Sequence, residues 1–409
     1  MTAESLAASA AQEALARLVG DPERFTAEHF GRRPLLRRHA WDARAPLTVD
    51  DVDDLLTGGR LRWPAFRLVE QGRTIPTRDC TRSGTIGGQR VTDLPDLGRI
   101  LAHVDDGATL VLQGLHRYHA PVADLCSQLE RSLSHPVQAN AYLTPPGSRG
   151  LNVHHDTHDV FALQTHGHKH WVVHEPAVEV PLPSQPWSSS KHTAGPLLLD
   201  TELAPGDLLY LPRGAPHAAE TVGEVSLHLT IGVRVITFYD LVQRAARRLV
   251  DDPALREALP AGWEHDRAVL VAELTDRLAR AGSGLAAVDT DDLVAELADA
   301  RRDARPVDRR GQLRELVHLD AIDDRTVVAP RPGLEVALES RGDRVALRLP
   351  DREVVLPAAA GPVVAELLDG PPLHVGDLAD RVDADSRLVL VRRLVREGAL
   401  VTTPGRTRG

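Results

Sequence analysis

Two short stretches constrain this chain more than any other. The first is His154-His155-Asp156. The second is Pro205-Gly206-Asp207-Leu208-Leu209-Tyr210-Leu211-Pro212-Arg213-Gly214-Ala215-Pro216-His217. An H-x-D pair with a distant third histidine offers two imidazoles and one carboxylate. On an octahedral Fe(II) that set occupies one face and leaves the opposite positions open. In the second stretch Pro205-Gly206-Asp207 reads as a turn and Leu208 to Leu211 as a short strand. Pro212-Arg213-Gly214 then turns again ahead of His217. Two ligand clusters at strand ends, joined by a long connection, suit an antiparallel double-sheet barrel with a metal held between its sheets.

The rest of the composition narrows the class. With 409 residues the chain is too long for one core, so two or three domains are expected. Hydrophobic content of 42% and charged content of 26% are those of a globular protein. Cys80 and Cys126 are the sole cysteines, which argues against a disulfide scaffold and a cysteine-rich zinc site. The segment Met1–Leu18 is Ala-rich, carries Glu4 and Glu13, and lacks the basic start of a signal peptide. No run is long and apolar enough for a membrane span, so a cytoplasmic location is expected. A net charge of −10 offers no general footprint for nucleic acid.

Texture divides the chain into three, predicting an α+β protein. Residues 1–235 begin with helical patterns over Ala11–Val19 and Pro22–Phe30, then pass into short strand-like runs. Residues 236–310 place Leu241, Ala245, Leu249, Val269, Val271, Leu274, Leu278, Leu293 and Leu297 at helical spacing. That apolar stripe is too long to be covered by its own segment and predicts a homodimer. In residues 311–409, extended runs at Val327–Ala329, Val345–Leu349 and Val354–Leu356 precede helical patterns at Pro362–Leu368, Val375–Val382 and Arg387–Glu397. Gly398 reads as a C-cap before a strand at Ala399–Thr403. The order fits a winged-helix module. Residues 340–409 carry 11 Arg against 10 Asp plus Glu, and Asp377, Asp380, Asp383 and Asp385 lie around the approach to the would-be recognition helix. A DNA reader presents Lys and Arg there, so a structural or protein-docking role is expected instead.

Around the H-x-D pair, Phe161–Gln164 reads as a strand, Thr165–His168 as a tight turn and Lys169–His174 as the returning strand. Alternation puts Lys169, Trp171 and Val173 on one face. A lysine among apolar neighbours is costly unless an anion pairs with it, and a dicarboxylate chelating the metal at its other end is the simplest such anion. On the strand Asn140–Leu143, Asn140 and Tyr142 point the same way and offer hydrogen bonds.

These residues carry a family resemblance. Asn140-Ala-Tyr-Leu-Thr-Pro-Pro-Gly-Ser148, His154-x-Asp156, Val160-Phe-Ala-Leu-Gln164, Gly167-x-Lys169-His-Trp171, the Pro205–His217 stretch, His228-Leu-Thr-Ile231 and Phe30-Gly-Arg-Arg-Pro-Leu-Leu36 together resemble the JmjC-type ribosomal oxygenases. Those are cupin-fold protein hydroxylases dependent on Fe(II) and 2-oxoglutarate. The resemblance implies a double-stranded β-helix barrel, a helical dimerisation segment and a winged helix, in that order. It implies that His154, Asp156 and His217 hold iron, that Lys169 binds the distal carboxylate of 2-oxoglutarate, and that Asn140 assists. Tyr142 falls where the family orients cosubstrate or substrate, and His228 on a cavity-facing strand. O2 is the oxidant, and a basic ribosomal protein, hydroxylated on His or Arg, is the implied partner. Gly232 departs from the pattern: members acting on histidine carry a hydroxyl residue there, which leaves the target side chain open.

Other readings use the same residues. His155 is the alternative imidazole, although alternation turns it away from the face of Asp156. Glu220, three residues after His217, is a possible fourth ligand of a cupin. His158, His166, His168, His170 and His174 suggest zinc, yet turns and outward strand faces account for most of them. A 2-oxoglutarate oxygenase acting on a peptide or small molecule in biosynthesis, a metal cupin without cosubstrate, and a winged-helix regulator are the competing functions.

Overall fold

The computed structural model describes residues 3–41, 46–148, 150–305 and 307–403. It separates into two compact units, Ala8–Val235 and Ile236–Gly409 with Met1–Ala7. Helices α1 (Ala3–Val19) and α2 (Pro22–Glu28) open the chain. Asp21 caps α2 by accepting from the Arg24 amide, and Pro22 fills the first turn, where an amide proton has no helical partner to lose. Next come β1 (Leu35–Arg37), α3 (Val49–Thr57), β2 (Phe66–Glu70), β3 (Arg73–Thr74), the hairpin β4 (Thr81–Ile86) and β5 (Gln89–Pro95), α4 (Leu97–Asp105), β6 (Thr109–Leu112) and α5 (Ala120–Leu133). The remaining strands of this unit are β7 (Val137–Thr144), β8 (Asp159–His174), β9 (Leu197–Leu203), β10 (Leu208–Leu211) and β11 (His217–Val233).

Nine of these strands form one sheet in the order β1-β10-β8-β11-β7-β6-β2-β3, with β9 added along the second half of β8. Strands β8 and β11 are the long central strands of that sheet. They pair antiparallel along nearly their whole length, from His217 opposite Val173 to Val233 opposite Asp159. The first half of β8 also pairs with β10, and its second half with β9. The tight turn expected at Thr165–His168 is absent, and β8 runs straight through it. The chain bends without reversing because Gly167 adopts φ +61 and β11 is bulged opposite, between Val222 and Leu227. Only glycine fits this bend, since a Cβ there would meet the Val225 carbonyl oxygen at 2.0 Å. Strand β10, with all four residues buried, matches its apolar run.

The main core of this unit includes Phe25, Phe66, Phe161 and Tyr210. Tyr210 donates to the Asp159 carboxylate and accepts from the Gly31 amide, so a buried network ties the start of β8 to the segment after α2. A smaller core, with Trp171, Val173, Leu203 and Leu211, fills the layer beneath β9 and β10.

The other unit begins with helices α6 (Phe238–Arg248), α7 (Arg267–Ala286) and α8 (Thr290–Ala304), followed by α9 (Gln312–Val317). Strands β12 (Val327–Pro330), β13 (Ala337–Arg341), β14 (Arg344–Leu349) and β15 (Arg352–Pro357) lead to α10 (Gly361–Asp369), β16 (Leu373–His374), α11 (Ala384–Glu397) and β17 (Leu400–Thr403). They form two three-stranded sheets, β16-β12-β17 and β13-β14-β15. Leu390, Val391, Leu394 and Val395 give α11 its buried face, and Gly398 closes it with φ +80. The helix expected over Val375–Val382 is a single 3₁₀ turn, Val375–Leu378. Asp377 draws the His374 amide onto its carboxylate, and Asp383 caps α11 a few residues on, leaving no room for a longer helix. Strand β13 was not foreseen, because Glu339, Ser340 and Arg341 give it no apolar run. Among the described residues no helix is long and apolar enough to cross a membrane.

Candidate metal centre

Two hydrogen bonds assemble the centre. The His154 amide donates to the His217 carbonyl at 3.1 Å, and the His217 amide returns the bond at 2.8 Å. This bridge brings the loop before β8 against the first residue of β11. The Gly214 amide donates to the Asp156 carbonyl at 3.0 Å, fixing the third residue on the same loop. One nitrogen or oxygen from each of His154, Asp156 and His217 lies within 4.8 Å of the others. The imidazoles are preset for a cation. His154 Nδ1 donates to the Asn152 carbonyl at 2.8 Å and His217 Nδ1 to the Ala215 carbonyl at 3.0 Å. Those bonds hold the proton on Nδ1 and leave each Nε2 lone pair free, the arrangement a metal ligand needs.

Electrostatics point the same way. Burial holds His217 down to about 4, so it stays neutral, with positive charge at His154 adding to the effect. Burial pushes the Asp156 carboxyl up, but His217, His158, His154 and His155 outweigh it and the net shift is down. Two imidazoles beside one carboxylate make a donor set fitted to a divalent cation.

The three open onto a cavity of about 320 Å³ lined by β2, β7, β8 and β11. Lys169, on β8, is 3% exposed and donates to Thr144 Oγ1 at 3.0 Å and toward His228 Nδ1 at 3.4 Å. It forms no ion pair among the described residues, and burial lowers its pKa to about 7. An ammonium so placed is costly unless an anion pairs with it. Tyr142 stacks on His228 with centroids 4.9 Å apart, and the Trp171 ring meets His228 edge-on. The His228 pKa lies well below the usual imidazole range, through burial and then the Lys169 charge. The Trp171 indole N–H is buried without a partner among the described residues, so this cavity wall keeps an unused donor.

Each residue singled out in the sequence has a place here. His154, Asp156 and His217 form the cluster, while Lys169, Asn140, Tyr142 and His228 line the same cavity. The Asn140 carboxamide oxygen also accepts from the Gly114 amide at 3.0 Å. His155 points away and packs against Trp187 and His192. Glu220 lies beside His170, which also meets Asp200 at 2.6 Å, and His168 meets Glu224 at 3.2 Å. The residues missed in the sequence are Arg67, Thr144 and His158. Thr144 was readable, since it continues the alternation of Asn140 and Tyr142 along β7. Arg67 comes from β2, and nothing local in the sequence ties it to this cavity.

Comparison with known proteins agrees with this geometry. Residues 115–241 match the model of the JmjC domain. That stretch is therefore similar to a JmjC domain. The chain is 37% identical over 155 residues to the bifunctional lysine-specific demethylase and histidyl-hydroxylase NO66 of Aedes aegypti, covering 36% of this chain and 24% of that protein. It is 40% identical over 126 residues to ribosomal oxygenase 2 of Mus musculus, covering 30% and 27%. The chain thus spans about a quarter of the length of these curated relatives. The fold also superposes on Escherichia coli ribosomal oxygenase YcfD with a TM-score of 0.51 and 19% identity, over 93% of this chain and 98% of that one. A further structure of YcfD, in complex with cobalt and succinic acid, matches with a TM-score of 0.50.

Proposed function

We propose that the chain is an Fe(II)- and 2-oxoglutarate-dependent dioxygenase that hydroxylates a protein side chain, His or Arg, on a ribosomal protein. One observation carries the reading: a two-histidine, one-carboxylate cluster shares its cavity with a buried lysine that has no carboxylate of its own. A metal cupin without cosubstrate needs the cluster but not the lysine.

The donor set suits Fe(II), and the cavity's far wall suits the dicarboxylate. When bound, iron and 2-oxoglutarate supply O2 activation, with the balance R–H + O2 + 2-oxoglutarate → R–OH + succinate + CO2. The protein's own groups hold and orient. His154, Asp156 and His217 would hold the metal. Lys169 receives the distal carboxylate, with Thr144 and Asn140 as neighbouring polar groups. Tyr142 and His228, stacked on each other, make one cavity wall that excludes water. The relatives named as hydroxylases and ribosomal oxygenases support the protein substrate, and the net charge of −10 favours a basic partner.

The wider organisation belongs to the same reading: residues 1–235 as the oxygenase, 236–310 as a dimerisation segment and 311–409 as a winged helix without a DNA-reading role, in the cytoplasm. Residues 404–409 lie outside the described ones. Val271, Leu274 and Leu278 on α7 are 52%, 49% and 63% exposed, an apolar face suited to a second copy of the chain. In α11, Arg387 pairs with Asp324, and Arg392 donates to the Ile322 carbonyl, so two of its arginines are engaged within the unit.

The decisive experiment incubates the protein with Fe(II), 2-oxoglutarate, O2 and unmodified ribosomal-protein peptides. A +16 product on one peptide, with matching succinate, is expected, and Lys169→Ala should abolish both. Oxidation of a small metabolite instead would keep the chemistry and overturn the ribosomal target.

A further inference from the structure

Strand β11 presents His228 and Thr230 to the metal cavity, and alternation makes Gly232 the next residue on that side. Its backbone does not require glycine, since its φ is not positive. What requires it is a neighbour. A Cβ on Gly232 would lie 2.4 Å from His158 Cδ2 and 2.7 Å from His158 Nε2. The His158 ring thus fills the space that any side chain at position 232 would take. This is the position where the sequence departs from the family it resembles by lacking a hydroxyl.

His158 lines the cavity but is not part of the three-residue ligand cluster. Its ring is half-buried and has no hydrogen-bond partner among the described residues. A neutral imidazole offers one donor and one acceptor. The rest of the lining limits what can approach it. Arg67 and Lys169 are cations, and Asp156, the sole carboxylate of the lining, belongs to the metal cluster. A guanidinium entering here would be desolvated with no anion left to pair with it.

We propose that His158, seated on Gly232, is the residue that selects the substrate side chain. The side chain it selects is an uncharged one with both a donor and an acceptor, an imidazole or a carboxamide, in preference to a guanidinium. This rests on the hydroxylase reading and names the substrate class of that same site.

Three measurements test it. The first uses no turnover: melting temperatures are compared for Gly232→Ala, His158→Ala and the double variant. Gly232→Ala should lower the melting temperature of the otherwise native protein and have little effect once His158 is gone. Equal losses in both backgrounds overturn the seating. The second measures anisotropy of synthetic ribosomal-protein peptides, each made with His, Asn or Arg at the reactive position, on Mn(II)-loaded protein with 2-oxoglutarate. The native protein should bind the His or Asn form at least about tenfold more tightly than the Arg form, the scale of one well-made hydrogen bond. His158→Ala should erase that ratio and His158→Asn restore part of it. A preference for the Arg form, or a ratio unmoved in His158→Ala, overturns the proposal. The third is 2-oxoglutarate binding to the Mn(II)-loaded native protein without peptide. Its failure would sink the hydroxylase reading itself, and is thereby distinguished from a failure of the selectivity argued for His158.

Discussion

Replacing Lys169 with methionine should make the metal-free protein more stable while abolishing its affinity for 2-oxoglutarate. Burial takes this ammonium from an ordinary pKa of 10.5 to about 7. Each pKa step of one costs about 1.4 kcal/mol, so the charged form is penalised by about 5 kcal/mol in the fold. The folded pKa lies below the unfolded one. The penalty is therefore largest below pH 7, fades as pH rises toward 10.5, and is gone above it. At pH 7, with half of the folded molecules carrying the neutral amine, it amounts to about 4 kcal/mol, and at pH 9 to about 2 kcal/mol. Methionine fills a similar volume without the charge. Losing the Nζ bonds leaves the Thr144 hydroxyl paired, because it also accepts from Thr109 Oγ1 at 3.2 Å, and removes only the long 3.4 Å contact from His228 Nδ1. Allowing for imperfect packing, a gain of about 2–4 kcal/mol at pH 7 is expected, smaller by about 2 kcal/mol at pH 9. Urea denaturation of both proteins in chelator at the two pH values measures it. Adding metal and 2-oxoglutarate should then raise the melting temperature of the native protein alone. A variant less stable than the native protein at pH 7, or a difference that ignores pH, would refute the view of Lys169 as an anion receptor maintained at the expense of stability.

Three further outcomes follow from other parts of the fold. His154→Ala and Asp156→Ala should each lose the bound divalent metal, expected at one per chain, as read by elemental analysis of the purified protein. Gly167→Val forces a side chain onto the Val225 carbonyl at φ +61, and should cost at least about 2 kcal/mol and abolish the 2-oxoglutarate thermal shift, because Lys169 follows two residues later. Leu274→Glu with Leu278→Glu should turn a dimer into a monomer by sedimentation, whereas a native protein that is monomeric at all concentrations would remove the dimer proposal.

The sequence was most readable where structure depends on neighbours along the chain. Alternation placed Lys169 and Trp171 on one face of a strand, and the buried positions of β8 follow it. The apolar run Leu208–Leu211 is a buried strand for the same local reason. Gly167 was misread because glycine permits both a reversal and a bend. What decides between them is the bulge in β11, which is remote in sequence and supplies the compensating residues. His158 was read with its neighbouring histidines, most of them at the surface or behind the ligands, for a related reason: only the absent side chain of Gly232, on another strand, opens room for its ring beside the ligand cluster. Arg67 reaches the cavity through the pairing of β2 with β6 and of β6 with β7, a chain of contacts that no local motif encodes.

The β8–β11 ladder has one more consequence. His217 pairs with Val173, and Thr221 with Lys169, so His217 and Lys169 are separated by four residues of continuous strand with no loop between them. Backbone hydrogen bonds, rather than adjustable loop positions, set the span between these two residues. If the site takes a dicarboxylate, as proposed, the ladder would fix the length that cosubstrate needs to reach from the metal to the ammonium.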